Sequence, residues 1–154
     1  KAPVYFALYD EGEISVVEIA ESEKVPGIDL WVGIHESAHA TALGKSILAA
    51  LDEDSRVEYL SRHPLHALTR KTVTNRARLE AQISTDGTFA HDDEEYLTGV
   101  RCIAHPVVTD RHLGTVGVAL RPGARRGSSD EEVSALLATG AGRIARALNF
   151  SANA

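Results

Sequence analysis

Apolar and polar residues alternate from the start of the chain. Val4-Tyr-Phe-Ala-Leu-Tyr9 and Ile14-Ser-Val-Val-Glu-Ile19 are rich in strand formers, and Asp10-Glu-Gly-Glu13 between them is a turn pivoting on Gly12. Two such runs so close together predict an antiparallel hairpin. Pro26-Gly27 breaks the chain, and Leu30-Trp-Val-Gly-Ile34 is a third predicted strand. The period then lengthens from two to about 3.6. Ala42, Leu43, Ile47, Leu48 and Leu51 predict a helix over 41–51 that is buried on most faces. A second, short helix over 52–60 has an acidic start that suits the helix dipole. Thr74 is the expected cap of a third helix, which carries Leu79 and Ile83 and ends at the Asp86-Gly87 turn. Strands return over 88–90, 100–108 and 115–120, with Asp110-Arg-His-Leu-Gly114 as a turn. Ser129-Asp-Glu-Glu132 has the capping-box pattern, and Val133, Leu136, Leu137, Gly140, Ile144 and Leu148 then recur at helical spacing.

The order is strands, helices, strands, helix, without the strict alternation of a parallel sheet. It predicts an α+β fold with a largely antiparallel sheet flanked by helices. The 154 residues suffice for one domain, 1–154, with a proper core. No apolar run approaches the ~18 residues of a membrane span, so no membrane partner is expected. Cys102 is the single cysteine, which rules out an intrachain disulfide and makes a reducing cytoplasm the expected location. The net charge of -6 argues against this chain being a nucleic-acid surface, since phosphate affinity comes from clustered Lys and Arg; Arg125-Arg126 is too small a cluster to reverse that. The chain enters a strand-like run almost at Lys1 and reads as a piece of something longer.

Gly44-Lys45-Ser46 raises the question of a phosphate-binding loop. Such a loop needs a glycine five positions before the Gly-Lys pair so that its backbone can curl around phosphates, and that position is His39. Nucleotide binding is therefore not expected. His35 and His39 stand four apart, as zinc ligands on a helix would, but they precede the helix and have no well-spaced third ligand. No metal and no cofactor are expected.

His-Ala-Thr-Ala-Leu-Gly-Lys (39–45), Asp-Asp-Glu-Glu-Tyr-Leu-Thr-Gly-Val-Arg-Cys-Ile-Ala (92–104) and Leu-Gly-Thr-Val-Gly-Val-Ala-Leu-Arg-Pro-Gly (113–123), in that order and spacing, resemble the IclR family of bacterial transcriptional regulators. The likeness is to the family's carboxy-terminal effector-binding domain and covers nearly the whole chain. It implies a GAF/profilin-like fold with a small-molecule pocket on one face of the sheet. It also implies an amino-terminal winged helix-turn-helix domain outside this chain, through which operator DNA would be bound, and a homodimer or homotetramer. Effectors of such regulators are commonly small organic acids or aromatic metabolites. One departure stands out: where the family often has Ser-x-Ser-Gly-Pro, this chain has Ala119-Leu-Arg-Pro-Gly123, a methyl group and a guanidinium in place of two hydroxyls.

The match places Ala42, Leu43 and Gly44 at the pocket floor, in the first turn of a helix. Free N–H groups and a positive dipole end could hold a carboxylate there, although small residues also simply allow close packing. Lys45 reads as a solvated helix residue. The match puts Asp92 at the pocket rim, able to bond an effector hydroxyl or pair with Arg121; Asp93, Glu94 and Glu95 read as surface or structural. Val100 and Cys102 share a strand face that would line the pocket. Ala119 and Arg121 share another, and the Arg121 guanidinium could hold a carboxylate bidentately or be an ordinary surface group. Val25 and Ile28 would cover the pocket with apolar surface, and Trp31 could pack nearby. Two rival readings follow from the same residues. One is a GAF-like enzyme with Cys102 as nucleophile and His105 or Asp92 as partner, although Cys102 and His105 point to opposite faces of their strand. The other is a dimerisation module with a vestigial pocket.

Overall fold

A computed structural model describes residues 2–30, 33–85, 89–121 and 129–152. Strands β1 (Val4–Asp10) and β2 (Glu13–Ala20) form the predicted hairpin. Glu11 and Gly12 both carry positive φ, 48° and 82°, the backbone that a two-residue turn between right-twisted strands requires. A bulge between Phe6 and Ala7 skips Val17, which is left half exposed. Three more strands follow the helical middle: β3 (Ala90–Asp93), β4 (Arg101–Val108) and β5 (Leu113–Leu120). All five make one sheet in the order β2-β1-β5-β4-β3, with every neighbour antiparallel.

Alternation divides the sheet's side chains between two cores. Tyr5, Ala7, Cys102, Ala104 and Ala119 face helices α1 (Ile34–Ser37), α2 (Ala42–Ala50), α3 (Glu53–Arg62) and α4 (Arg76–Thr85). Phe6, Ile103, Val107, Val116 and Val118 face α5 (Asp130–Ala152), where Val133, Leu137, Ile144 and Leu148 of the expected stripe are joined by Ala141, while Leu136 is turned out to solvent. Helices thus flank an antiparallel sheet, the predicted α+β class with a GAF-like arrangement.

The helix ends follow local chemistry. The Thr41 hydroxyl caps α2 by accepting from Gly44 N at 3.0 Å, and Asp52 caps α3 through Ser55 N at 2.9 Å. α4 is capped one residue later than expected, by the Asn75 side chain accepting from Arg78 N at 3.0 Å, while the predicted stop at Asp86-Gly87 lies outside the described residues. At α5 the capping box forms in both directions between Ser129 and Glu132. The strand expected over 30–34 is not found: Leu30 has no regular structure and Ile34 begins α1, while Trp31 and Val32 lie outside the described residues. Leu30 serves a covering loop and Ile34 a helix start rather than a sheet edge.

Candidate effector pocket

Between the sheet and the start of α2 lies an apolar cavity, lined among others by Tyr5, Ile28, Ala42, Leu43, Asp92 and Cys102. Gly117 brings the sheet close to Leu43, since a Cβ on it would press on the Leu43 side chain and the Ile103 carbonyl. The Ala42 and Leu43 amides lie in the first turn, where no intrahelical acceptor reaches them; Thr41 already takes Gly44 N and Lys45 N. The cavity volume is about 30 Å³, close to one water's share of liquid.

Asp92 is buried at the cavity wall, 2 % exposed. Its Oδ1 accepts from Glu95 N at 2.7 Å and Tyr96 N at 3.4 Å, so the backbone after β3 turns around this carboxyl. Burial pushes the carboxyl up to about 7, against the opposing pull of the Glu95 N–H and the Lys45 ammonium, while the Glu95 carboxylate raises it further. Asp92 pairs across the ladder with Cys102, whose thiol is raised well above its ordinary range by burial and then by the Asp92 carboxyl. A thiol held protonated is a poor nucleophile. His105 sits on the opposite face of β4 from Cys102, the face of Ile103 and Val107.

Lys45 is not a solvated helix residue. It is fully buried, with Nζ donating to Glu95 Oε1 at 2.7 Å and to the His91 carbonyl at 3.1 Å. Glu95, read from sequence as surface or structural, is 5 % exposed; it also accepts from Gln82 Nε2 at 3.1 Å, and its carbonyl accepts from the Thr72 hydroxyl at 2.6 Å. A helical period cannot reveal a partner fifty residues away. Removing either member of such a buried pair strands the other's charge, at a cost of roughly 3–5 kcal/mol.

A strap formed by the segment from 21 to 30 covers the cavity. Ile28 N donates to Tyr5 Oη at 2.6 Å, Gly27 N donates to the Glu21 carboxylate, and Ser22 and Val25 bridge back to back. Arg121 donates from Nη2 to the Gly27 carbonyl at 3.3 Å. Beyond the strap is a second cleft of about 250 Å³, lined by Pro3, Lys24, Val25, Pro26, Ala119 and Arg121 among others.

Ile28, Ala42, Leu43, Asp92 and Cys102 therefore share one cavity, while Val25, Ala119 and Arg121 share the outer cleft. Gly44 and Val100 line neither. Gly44 lies against the backbone of Ala38, and Val100 is buried in the core beneath α2. Arg121 makes no pair with Asp92, being exposed at the far side of the strap. Sequence reasoning did not place Tyr5, Ile34, Ser37, Thr41 or Tyr96 at the pocket, yet all of them line the inner cavity. Thr41 had a legible signal as the cap before α2, and Tyr5 shares its strand face with Ala7. Tyr96 had none. His39 is buried and its Nε2 bonds the His66 carbonyl at 2.8 Å; burial lowers its imidazole below the usual range. Among the described residues, no group of three or more His, Cys, Asp or Glu side chains is placed to hold a metal ion, and no helix is long and apolar enough to cross a membrane.

Comparison with known proteins agrees with this architecture. The family of the bacterial transcriptional regulator IclR C-terminal region matches residues 1–146. The Pca operon regulatory protein of Acinetobacter baylyi is 36% identical over 90 residues, 56% of this chain and 32% of that protein. The transcriptional repressor IclR of Escherichia coli is 38% identical over 77 residues, 48% of this chain and 27% of that one. The chain spans about a third of the length of these relatives. Among solved structures, the Thermotoga maritima IclR superposes with a TM-score of 0.80 at 27% identity, over 96% of this chain and 61% of that one. The inducer-binding domain of the PobR transcription factor from Acinetobacter, a double mutant in complex with 3-hydroxybenzoic acid, gives 0.74 at 22% identity, over 94% and 87%; at that identity the likeness is one of fold. With the matched region covering both helical layers, the sheet and the cavity between them, the chain belongs to the IclR family, as the effector-binding domain of a transcriptional regulator and not as an enzyme.

Proposed function

We propose that this domain senses a small organic acid, an aromatic acid in particular, in the cavity beneath the strap. The reading is carried by one juxtaposition: an apolar cavity meets both the first turn of α2 and a buried carboxyl. The acid's carboxylate bonds the Ala42 and Leu43 amides at the positive end of the helix, its ring lies against Leu43, Ile28 and Cys102, and Asp92 bonds a polar group of the same molecule. A dry protein cavity that takes up benzene measures about 150 Å³, so the strap must lift to admit an aromatic ring. Arg121 and Lys24 in the outer cleft attract the anion on its way in. A similarly folded domain that is bound to 3-hydroxybenzoic acid supports an effector of this size. In the full-length cytoplasmic protein, a homodimer or homotetramer with attached winged helix-turn-helix domains, the effector biases operator binding only by its difference in affinity for two arrangements of the oligomer.

The small cavity volume also favours a second reading, a dimerisation module whose pocket no longer binds. Melting curves with 3-hydroxybenzoate and a panel of small carboxylates separate the two. At about a hundred times its dissociation constant a ligand stabilises by ~2.7 kcal/mol, which at this size raises the melting temperature by roughly 5–10 °C. The expected shift disappears in Ala42→Val, which fills the floor, and survives in Arg121→Ala. The reverse pattern puts the carboxylate in the outer cleft, and silence across the panel favours the vestigial pocket.

A further inference from the structure

The described ion pairs other than Lys45–Glu95 are more exposed, and the Lys45–Glu95 pair lies directly behind the pocket wall rather than in it. Neither of its side chains lines the cavity. Both are nonetheless joined to Asp92 by short links. Lys45 Nζ bonds the carbonyl of His91, the residue before Asp92, and the backbone N–H of Glu95 bonds Asp92 Oδ1. Glu95 is anchored in turn by Gln82 from α4 and by Thr69 and Thr72, whose hydroxyls hold its carbonyl. The carboxyl's Oδ1 is therefore committed to two backbone donors, Glu95 N and Tyr96 N.

We propose that Lys45 and Glu95 are positioning residues of the pocket, acting through the backbone at 91 and 95 to hold Asp92 so that its carboxyl meets the effector as a hydrogen-bond donor. This rests on the acid-sensor reading for its ligand but not for its geometry. With Lys45 and Glu95 cancelling one another, a neutral Asp92 leaves the buried cluster uncharged. An ionised Asp92 gives it a net negative charge in an apolar wall, which burial disfavours. The other titratable groups facing this carboxyl are the Cys102 thiol from β4 and, across the cavity, the Tyr5 hydroxyl from β1, both raised by burial. His39, from the turn before α2, lies near the pair, and burial lowers its imidazole below the usual range. A protonated carboxyl can donate to a carboxylate or carbonyl oxygen and cannot repel an incoming anion. The ligand class is thus an acceptor-bearing acid rather than an amine, which would need Asp92 as an anion.

The test is a carboxyl-carbon NMR titration of Asp92 in the ligand-free chain, followed by 3-hydroxybenzoate titrations over the same pH range. Lys45 pulls the Asp92 midpoint down and Glu95 pushes it up. The midpoint is therefore expected to rise in Lys45→Met and fall in Glu95→Gln, each by roughly half a pH unit or more. Both single variants leave a buried charge alone, at a cost that can unfold the domain, so Lys45→Met/Glu95→Gln, neutral throughout, is measured beside them; with both charges gone its midpoint lies between those of the two single variants. 3-Hydroxybenzoate affinity should weaken about tenfold per pH unit above each variant's own midpoint and lose that dependence in Asp92→Asn. Midpoints that stay at the wild-type value in folded variants overturn the positioning role, as does 3-hydroxybenzoate binding whose pH dependence ignores them. Midpoints that move as expected while 3-hydroxybenzoate binds at no pH sustain the positioning role and sink the acid-sensor reading instead.

Discussion

At Gly44 a Cβ would meet the Cα, carbonyl carbon and carbonyl oxygen of Ala38, so the glycine lets α2 rest directly on the turn before it. Backbone cannot swing aside as a side-chain tip can, and Gly44→Ala is expected to destabilise the domain by about 2 kcal/mol in urea unfolding, with the m-value unchanged. That outcome would assign the glycine of the Gly-Lys-Ser run to packing. A null effect would show that α2 can shift and would reopen Gly44 as a place where a ligand approaches. The neighbouring residues show how far a sequence carries at this scale. Missing glycine at position 39 was enough to set aside a phosphate loop. The burial of Lys45 was not legible, because its partners His91 and Glu95 arrive from another part of the chain. Arg121 was likewise readable as an exposed strand-end cation but not as a hydrogen-bond donor to Gly27, 94 residues before it.

Among the elements, those whose ends are set by neighbouring residues could be read directly. The β1–β2 turn and the capping box at Ser129 each occupy a few adjacent positions. The strap could not, since it has no period and is held by contacts from β1 and the end of β5. Apolar Leu30 and Ile34 looked like a strand because burial was inferred without knowing what they were buried against. The Tyr5 hydroxyl is the strap's tie to the sheet, and its burial already raises its ionisation above the usual range. Tyr5→Phe removes the acceptor for Ile28 N, a loss of about 1 kcal/mol of local protection. Hydrogen exchange at the Ile28 amide should then quicken roughly fivefold, with exchange in α5 unchanged. Equal acceleration in α5 would mean that the tyrosine supports the whole fold, and no acceleration would mean that the strap is pinned elsewhere.

On the scale of the whole molecule, the strand order β2-β1-β5-β4-β3 brings the first strand beside the last, a pairing that local alternation cannot specify. Resemblance to a family supplied what periodicity could not. The same arrangement buries two titratable groups with opposite effects on stability. Asp92, raised to about 7 from an unfolded value near 3.9, is protonated in the folded chain and ionised in the unfolded chain between those limits. Its contribution is therefore full below pH ~4 and is lost as pH rises through about 7, with a slope near 1.4 kcal/mol per pH unit. His39 is lowered, so between its folded value and ~6.5 it is neutral when folded and charged when unfolded, and its contribution is lost as pH falls. Over the shared window below pH ~6.5 the two slopes oppose each other, so the wild-type stability curve should be flatter there than either group alone would make it. Asp92→Asn should tilt the curve toward stability that climbs with pH, the histidine's direction, and His39→Asn should tilt it toward stability that falls, the Asp92 carboxyl's direction. Urea unfolding at half-unit steps of pH reads all three curves. Parallel curves in the three proteins would mean that neither group changes its ionisation on folding, and a wild-type curve that already falls across the window would mean that Asp92 outweighs His39.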